Sequence, residues 1–189
     1  MRRTVLVSTL AAALIGAAAI TLPQLGLAAG EPMVGGAPMY PTKNIIENAV
    51  NSKDHTTLVA AVKAAGLVDT LSSPGPFMVF APTNEAFAML PKGTVDNLLR
   101  PENKEKLKKI LTSHVVGKAV LSDAINKMVA DDKGAHLVKT LSGAMLIAKN
   151  DNGKLTLTDE NGGVATVTIA DVKQSNGVIH VIDHVLLPK

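Results

Sequence analysis

The sequence predicts an α+β domain with helices mainly in its first half and antiparallel strands in its second. Three observations carry this. Apolar residues recur at helical spacing between Asn44 and Leu111; strand-like segments separated by glycine turns dominate beyond Gly117; and a buried strand runs straight into a helix at Gly75–Pro91.

Residues 1–28 are expected to be a secretory signal that is removed. Arg2-Arg3 form a positive head, an apolar run extends from about Val5 to Leu22, and Gly26-Leu27-Ala28 supply the small residues of a cleavage site. The run barely reaches the roughly 20 apolar residues a membrane span needs, so no membrane anchor is expected after processing. Residues 29–42, rich in Gly, Pro and Met without a period, read as a flexible leader, and residues 43–189 as a single domain.

Two short helices come next. Ile45, Ile46 and Ala49 have helical spacing within Asn44–Asn51, and Asp54 caps a second helix that turns Leu58, Val59, Val62 and Ala65 inward and stops at Gly66. The corner follows. Phe77-Met78-Val79-Phe80, behind the breaker Pro74-Gly75-Pro76, reads as a strand covered on both faces, and Pro82 ends its ladder because it has no N–H to donate. Thr83 or Asn84 then offers the N-cap oxygen of a helix in which Glu85 suits the positive first turn and Phe87 and Leu90 share one face. Thr94 to Leu99 makes one or two helical turns. Pro101-Glu102 opens an amphipathic helix with Leu107, Ile110 and Leu111 toward the core, while its lysines and glutamates describe a solvated face.

Ser122 caps a small helix around Asp123–Val129, and strands are expected at Val138–Leu141, Met145–Lys149, Lys154–Thr158, Val164–Ile169 and Val178–Leu187. Ser142-Gly143, Asp151-Asn152-Gly153, Asn161-Gly162-Gly163 and Ser175-Asn176-Gly177 separate them as hairpin-type turns.

Composition narrows the function classes. With no cysteine, the fold relies on core burial alone. The net charge of +3 falls to about +1 once Arg2 and Arg3 leave, and one tyrosine, three phenylalanines and no tryptophan provide no stacking platform, so no nucleic-acid partner is expected. No cofactor and no metal are expected either. His180 and His184 lie on an expected strand, where four residues separate their Cα atoms by about 13 Å, too far to share one ion. His114, flanked by Leu111, Val115 and Val116, reads as a buried histidine bonded to a neighbouring segment. No G-x-S-x-G elbow is present, and Ser113-His114, adjacent on a strand, would face opposite ways, so no catalytic residue and no enzyme activity are expected.

Three segments in order, VFAPTNEAFAMLP, ILTSHVV at Ile110–Val116 and NGVIHVIDHVLLP at Asn176–Pro188, resemble the fasciclin (FAS1) domain over roughly Ile45–Lys189. The resemblance implies a β-sandwich or wedge with helices packed along it, a secreted or periplasmic location, and adhesion or binding of cell-surface or matrix proteins or polysaccharides rather than catalysis. Its first motif maps onto Phe80–Phe87, its last onto Asn176–Asp183, and its tyrosine-histidine motif onto Ser113-His114, where serine stands in place of tyrosine. In animal members that motif is associated with integrin-type adhesion, which is not carried over to this chain. The candidate binding residues are therefore Thr83, Asn84, Ser113, His114, Asn176, His180 and Asp183, each of which is also suited to capping or bonding buried backbone. The alternative is a carrier of a small apolar ligand or cofactor, motivated by seven methionines. The sequence carries no signal for the oligomeric state.

Overall fold

The structure, a computed structural model, describes residues 30–189, so the expected signal at 1–28 lies outside it. In chain order the elements are β1 (Met33–Val34), β2 (Ala37–Pro38), α1 (Ile45–Ala49), α2 (Thr56–Ala65), α3 (Val68–Ser72), β3 (Phe77–Pro82), α4 (Asn84–Ala88), α5 (Thr94–Leu98), α6 (Lys104–Thr112), β4 (Val115–Val116), α7 (Ser122–Asp131), β5 (His136–Lys139), β6 (Met145–Asp151), β7 (Lys154–Thr158), β8 (Val164–Gln174) and β9 (Gly177–Ile182). This is the expected α+β order, helices first and mostly antiparallel strands after.

Seven strands form one sheet in the order β4-β3-β9-β8-β7-β6-β5. All its pairs are antiparallel except β3 with β9, which run parallel with Phe77 opposite Gly177 and Pro82 opposite Ile182. The two chains approach most closely where that pair begins. A Cβ on Gly177 would sit 2.1 Å from the Phe77 carbonyl oxygen, and one on Gly75 would sit 2.0 Å from the Asn176 oxygen, so only glycine fits at either place.

Because side chains alternate along a strand, β3 and β9 serve two cores at once. Val79, Ala81, Ile179 and Val181 face the helices and join Leu58, Val62, Leu107 and Leu111. Met78, Phe80 and Ile182 face the other way and join Ile125, Leu146, Leu157 and Leu186. The strand covered on both faces is thus β3, and Pro82 is its last residue.

Several expectations differ from the structure, among them that the strand expected at Val138–Leu141 lies at His136–Lys139, where its pairing with β6 sets it. The segment read as a flexible leader contains the β1–β2 hairpin, whose Val34, Ala37 and Met39 are buried; its Gly35 carbonyl accepts from Lys53 N–H, which ties the hairpin to the turn before α2. Neither Asp54 nor Ser122 caps its helix. The Asn84 side-chain oxygen accepts from Thr57 N–H at 3.0 Å, and the Asp171 carboxylate accepts from Ser122 N–H at 2.6 Å and from the Ser122 hydroxyl. The last strand ends at Ile182 rather than Leu187, because side chains take the next backbone donors: Leu186 N–H goes to His114 and Leu187 N–H to Asp159. Among the described residues no helix is long and apolar enough to cross a membrane.

Candidate functional site

The candidate residues divide into an internal set and a surface set. Asn176, in the turn before β9, is buried and uses its whole amide. Its oxygen accepts from Ile45 N–H at 3.0 Å, and its nitrogen donates to the Leu71 and Ser73 carbonyls at 2.8 and 3.0 Å. One side chain thereby holds the start of α1 and the end of α3 against the β3–β9 pair. Orphaning three buried backbone groups at once makes this position costly to change.

His114 follows α6 and is fully enclosed. Its Nδ1–H donates to the Ile110 carbonyl at 2.8 Å and its Nε2 accepts from Leu186 N–H at 2.9 Å, an arrangement that only the neutral ring satisfies. Burial lowers its pKa to about 4, against smaller opposing effects of the Ile110 carbonyl and Asp159. His180, in the middle of β9, is equally engaged. Its Nε2–H donates to the Val120 carbonyl at 3.0 Å, its Nδ1 accepts from Asp171 N–H at 3.3 Å, and its ring stacks on Phe80 with centroids 5.8 Å apart. Burial lowers its pKa too, opposed by the Val120 carbonyl and Asp171.

Ser113 donates its hydroxyl to the Lys109 carbonyl at 2.8 Å and lies 2.9 Å from the Ser142 hydroxyl, which is in turn 2.9 Å from that of Thr140. The chain of hydroxyls joins the end of α6 to the turn between β5 and β6. Four of the seven candidates, Ser113, His114, Asn176 and His180, are therefore buried with internal partners.

Thr83, Asn84 and Asp183 lie nearer the solvent. Thr83 is the N-cap of α4, its hydroxyl accepting from Ala86 N–H at 3.3 Å, and Asn84 bridges that corner to α2 while donating to the Lys53 carbonyl at 2.8 Å. Asp183 accepts from Thr166 N–H at 2.7 Å and lies 2.8 Å from His184 Nδ1. Its pKa is lowered: burial pushes it up, but the Thr166 N–H and the His184 partner together outweigh that.

Sequence reasoning missed three buried polar residues. Asp159 gathers three backbone donors, Asn161 and Gly163 N–H on one oxygen and Leu187 N–H on the other. Asn48 in α1 bonds Tyr40 at both backbone groups and also meets Gln174. His55, 2.9 Å from the Ser52 hydroxyl through Nδ1, has an Nε2 without a hydrogen-bond partner and lines an apolar cavity of about 30 Å³. Burial lowers its pKa, opposed by the Ala81 carbonyl, Asp54 and Glu85. The only sequence signal for Asp159 is its place two residues before Asn161-Gly162, where a carboxylate often accepts from the turn's own backbone.

Comparisons with known proteins agree with this architecture. The chain is 44% identical over 177 residues to protein sll1483 of Synechocystis, covering 86% of this chain and 91% of that one. It is 35% identical over 135 residues to transforming growth factor-beta-induced protein ig-h3 of Sus scrofa, covering 69% of this chain and 17% of that one. The structure resembles a FAS1 domain pair from the insect cell adhesion molecule Fasciclin I with a TM-score of 0.67 at 19% identity, over 77% of this chain and 51% of that one. Residues 53–188 match the family model described as Fasciclin domain, and a match of that extent makes this chain a member of the fasciclin-domain family.

Proposed function

We propose that the protein is a secreted or periplasmic interaction protein of the adhesion type, binding a cell-surface or matrix protein or polysaccharide without catalysis. The observation that carries this reading is the likeness of its fold to a domain of an insect cell adhesion molecule, joined to its membership of the fasciclin-domain family. The chemistry of the buried residues is in keeping with it. His114 and His180 are neutral and committed at both ring nitrogens, so they rigidify the scaffold, and recognition falls to its exposed loops and strand edges. A carrier role for a small apolar ligand has less support: two apolar cavities measure about 30 Å³ each, far below the roughly 300 Å³ at which ligand pockets begin, and the larger groove of about 470 Å³ lies open at the surface.

Deleting the gene and measuring surface attachment and aggregation of the cells tests the proposal, with pull-down from the native cell envelope identifying the partner. Weakened attachment, restored by the wild-type protein, is the expected result. Unchanged attachment and aggregation, with a stoichiometric small molecule found by native mass spectrometry, would replace adhesion by carriage.

A further inference from the structure

The seven-stranded sheet curls until its two end strands begin to meet. Counting directions along the strand order makes β4 and β5 antiparallel, and two backbone bonds already join their ends: Leu141 N–H donates to the Val115 carbonyl at 2.7 Å and Ser142 N–H to the Thr112 carbonyl at 3.3 Å. Beyond that point the strands diverge. Thr140 N–H donates to Ala144, so Thr140 and Val138 turn their backbone groups toward β6, while Lys139 and Leu137 turn theirs outward to the gap. Across the gap the same alternation sets Gly117 facing Lys139. Among the described residues no backbone hydrogen bond spans these positions.

The widening seam is a groove of about 470 Å³ with an apolar floor of Met78, Val116, Val120, Ile125, Met128 and Val138. Its rim is basic. Lys118 and Lys139 both line it, both are exposed, and neither forms an ion pair among the described residues, whereas Asp132 pairs with the groove-lining His136 at 2.6 Å. Leu137, on the same rim, is 58% exposed. The groove thus combines an unpaired strand edge, an apolar trough and two free cations, all within one short stretch of backbone.

We propose that this open seam receives an extended segment of a protein partner as an added strand, with apolar side chains alternating down into the groove and acidic ones turned out to Lys118 and Lys139. Edge backbone groups supply register-independent affinity, the trough selects the inward residues, and the lysines select the outward ones. A second copy of this chain fits poorly, because pairing like edges would bring like charges together. The proposal rests on the adhesion reading for its setting and adds the surface and the class of partner.

Titrating the isotope-labelled protein with a short synthetic peptide that alternates valine with glutamate, and following its backbone amides by NMR, provides the test. Shifts centred on Gly117, Lys118, Leu137 and Lys139 are expected, with affinity falling about tenfold or more in the Lys118→Glu, Lys139→Glu double variant. Both substitutions are at exposed positions, and an otherwise unchanged amide spectrum verifies that the variant is folded. No shifts at millimolar peptide, shifts centred elsewhere, an equal response to the same residues in block order, or shifts at these amides that depend on protein concentration alone would each overturn it. The two readings fail separately. A double variant that loses the peptide but still supports full cell attachment sinks the seam and leaves adhesion standing; peptide binding with unchanged charge dependence, beside a deletion strain that attaches normally, sinks adhesion and leaves the seam.

Discussion

In their central residues the two faces of the β3–β9 pair differ in size, with Phe77 closing the smaller face at the start of β3. Toward the helices the strands present Val79, Ala81, Ile179 and Val181, and the helices pack Ala61 and Ala65 there among Leu58, Val62, Leu107 and Leu111. Toward the curled sheet they present Met78, Phe80, His180 and Ile182. The difference teaches how one pair of strands serves two unlike neighbours: short side chains let helix backbones come close, and long ones fill the interior of a sheet bent around them. It also explains why a histidine sits mid-strand on the second face only. There, the Val120 carbonyl and the Asp171 amide are in reach of its ring.

The sharpest way to break this contrast is to empty the large-residue face. Phe80→Ala removes a ring with no solvent exposure and is expected to cost about 3 to 5 kcal/mol in urea unfolding. A loss below about 1 kcal/mol would mean that the curled sheet collapses onto the gap, and that residue size on that face is not critical.

Acidification probes the histidine pinned between that interior and α6. Unfolded, His114 takes up a proton near 6.5, but folded only near about 4, so the unfolded chain binds more protons throughout that window. Stability is therefore complete above about pH 6.5 and declines as pH falls, by roughly 3 kcal/mol from His114, with His180 and His55 adding in the same direction. In His114→Ala the Leu186 N–H loses its acceptor, costing about 1 to 3 kcal/mol at neutral pH. Denaturant midpoints at two pH values should show the variant less stable and less sensitive to acid; equal sensitivity would place the proton uptake elsewhere.

Enlarging the small-residue face is the converse test. Ala81→Leu should push the helices outward at a cost of about 1 to 3 kcal/mol, and a neutral effect on melting temperature would show slack where the contrast requires close fit. The mildest change concerns α7, whose first turn depends on Asp171 from β8. Asp171→Ala should lower stability by about 0.5 to 2 kcal/mol and speed amide exchange at the start of that helix; unaltered exchange would show that the cap is dispensable.

What could be read beforehand was whatever depends on neighbours in sequence. Pro82 and Thr83 announce the corner because turn and cap chemistry is local, and Leu155 and Leu157 announce β7 by simple alternation. Elements stabilised from a distance were silent. The β1–β2 hairpin is too short to signal itself and exists through burial of Val34 and Met39 and its bond to Lys53. α7 looked self-capped by Ser122, yet its cap comes from residue 171. β8 runs five residues beyond the expected Ile169 because register shifts on either side of that residue let one strand bend between the two cores. Among the candidate residues, the burial of His114 was legible in its apolar flanks. Asn176 was legible as a turn residue able to bond buried backbone, but its partners were not, since Ile45, Leu71 and Ser73 lie more than a hundred positions away.

The parallel pairing of Phe77 with Gly177 has a kinetic meaning as well. β9 is inserted between β3 and β8, so a strand that both cores share is made after every other strand of the sheet. Until it is made, β3 has no partner on that side and neither hydrophobic layer is complete. The six residues of β9 thereby complete both halves of the molecule together.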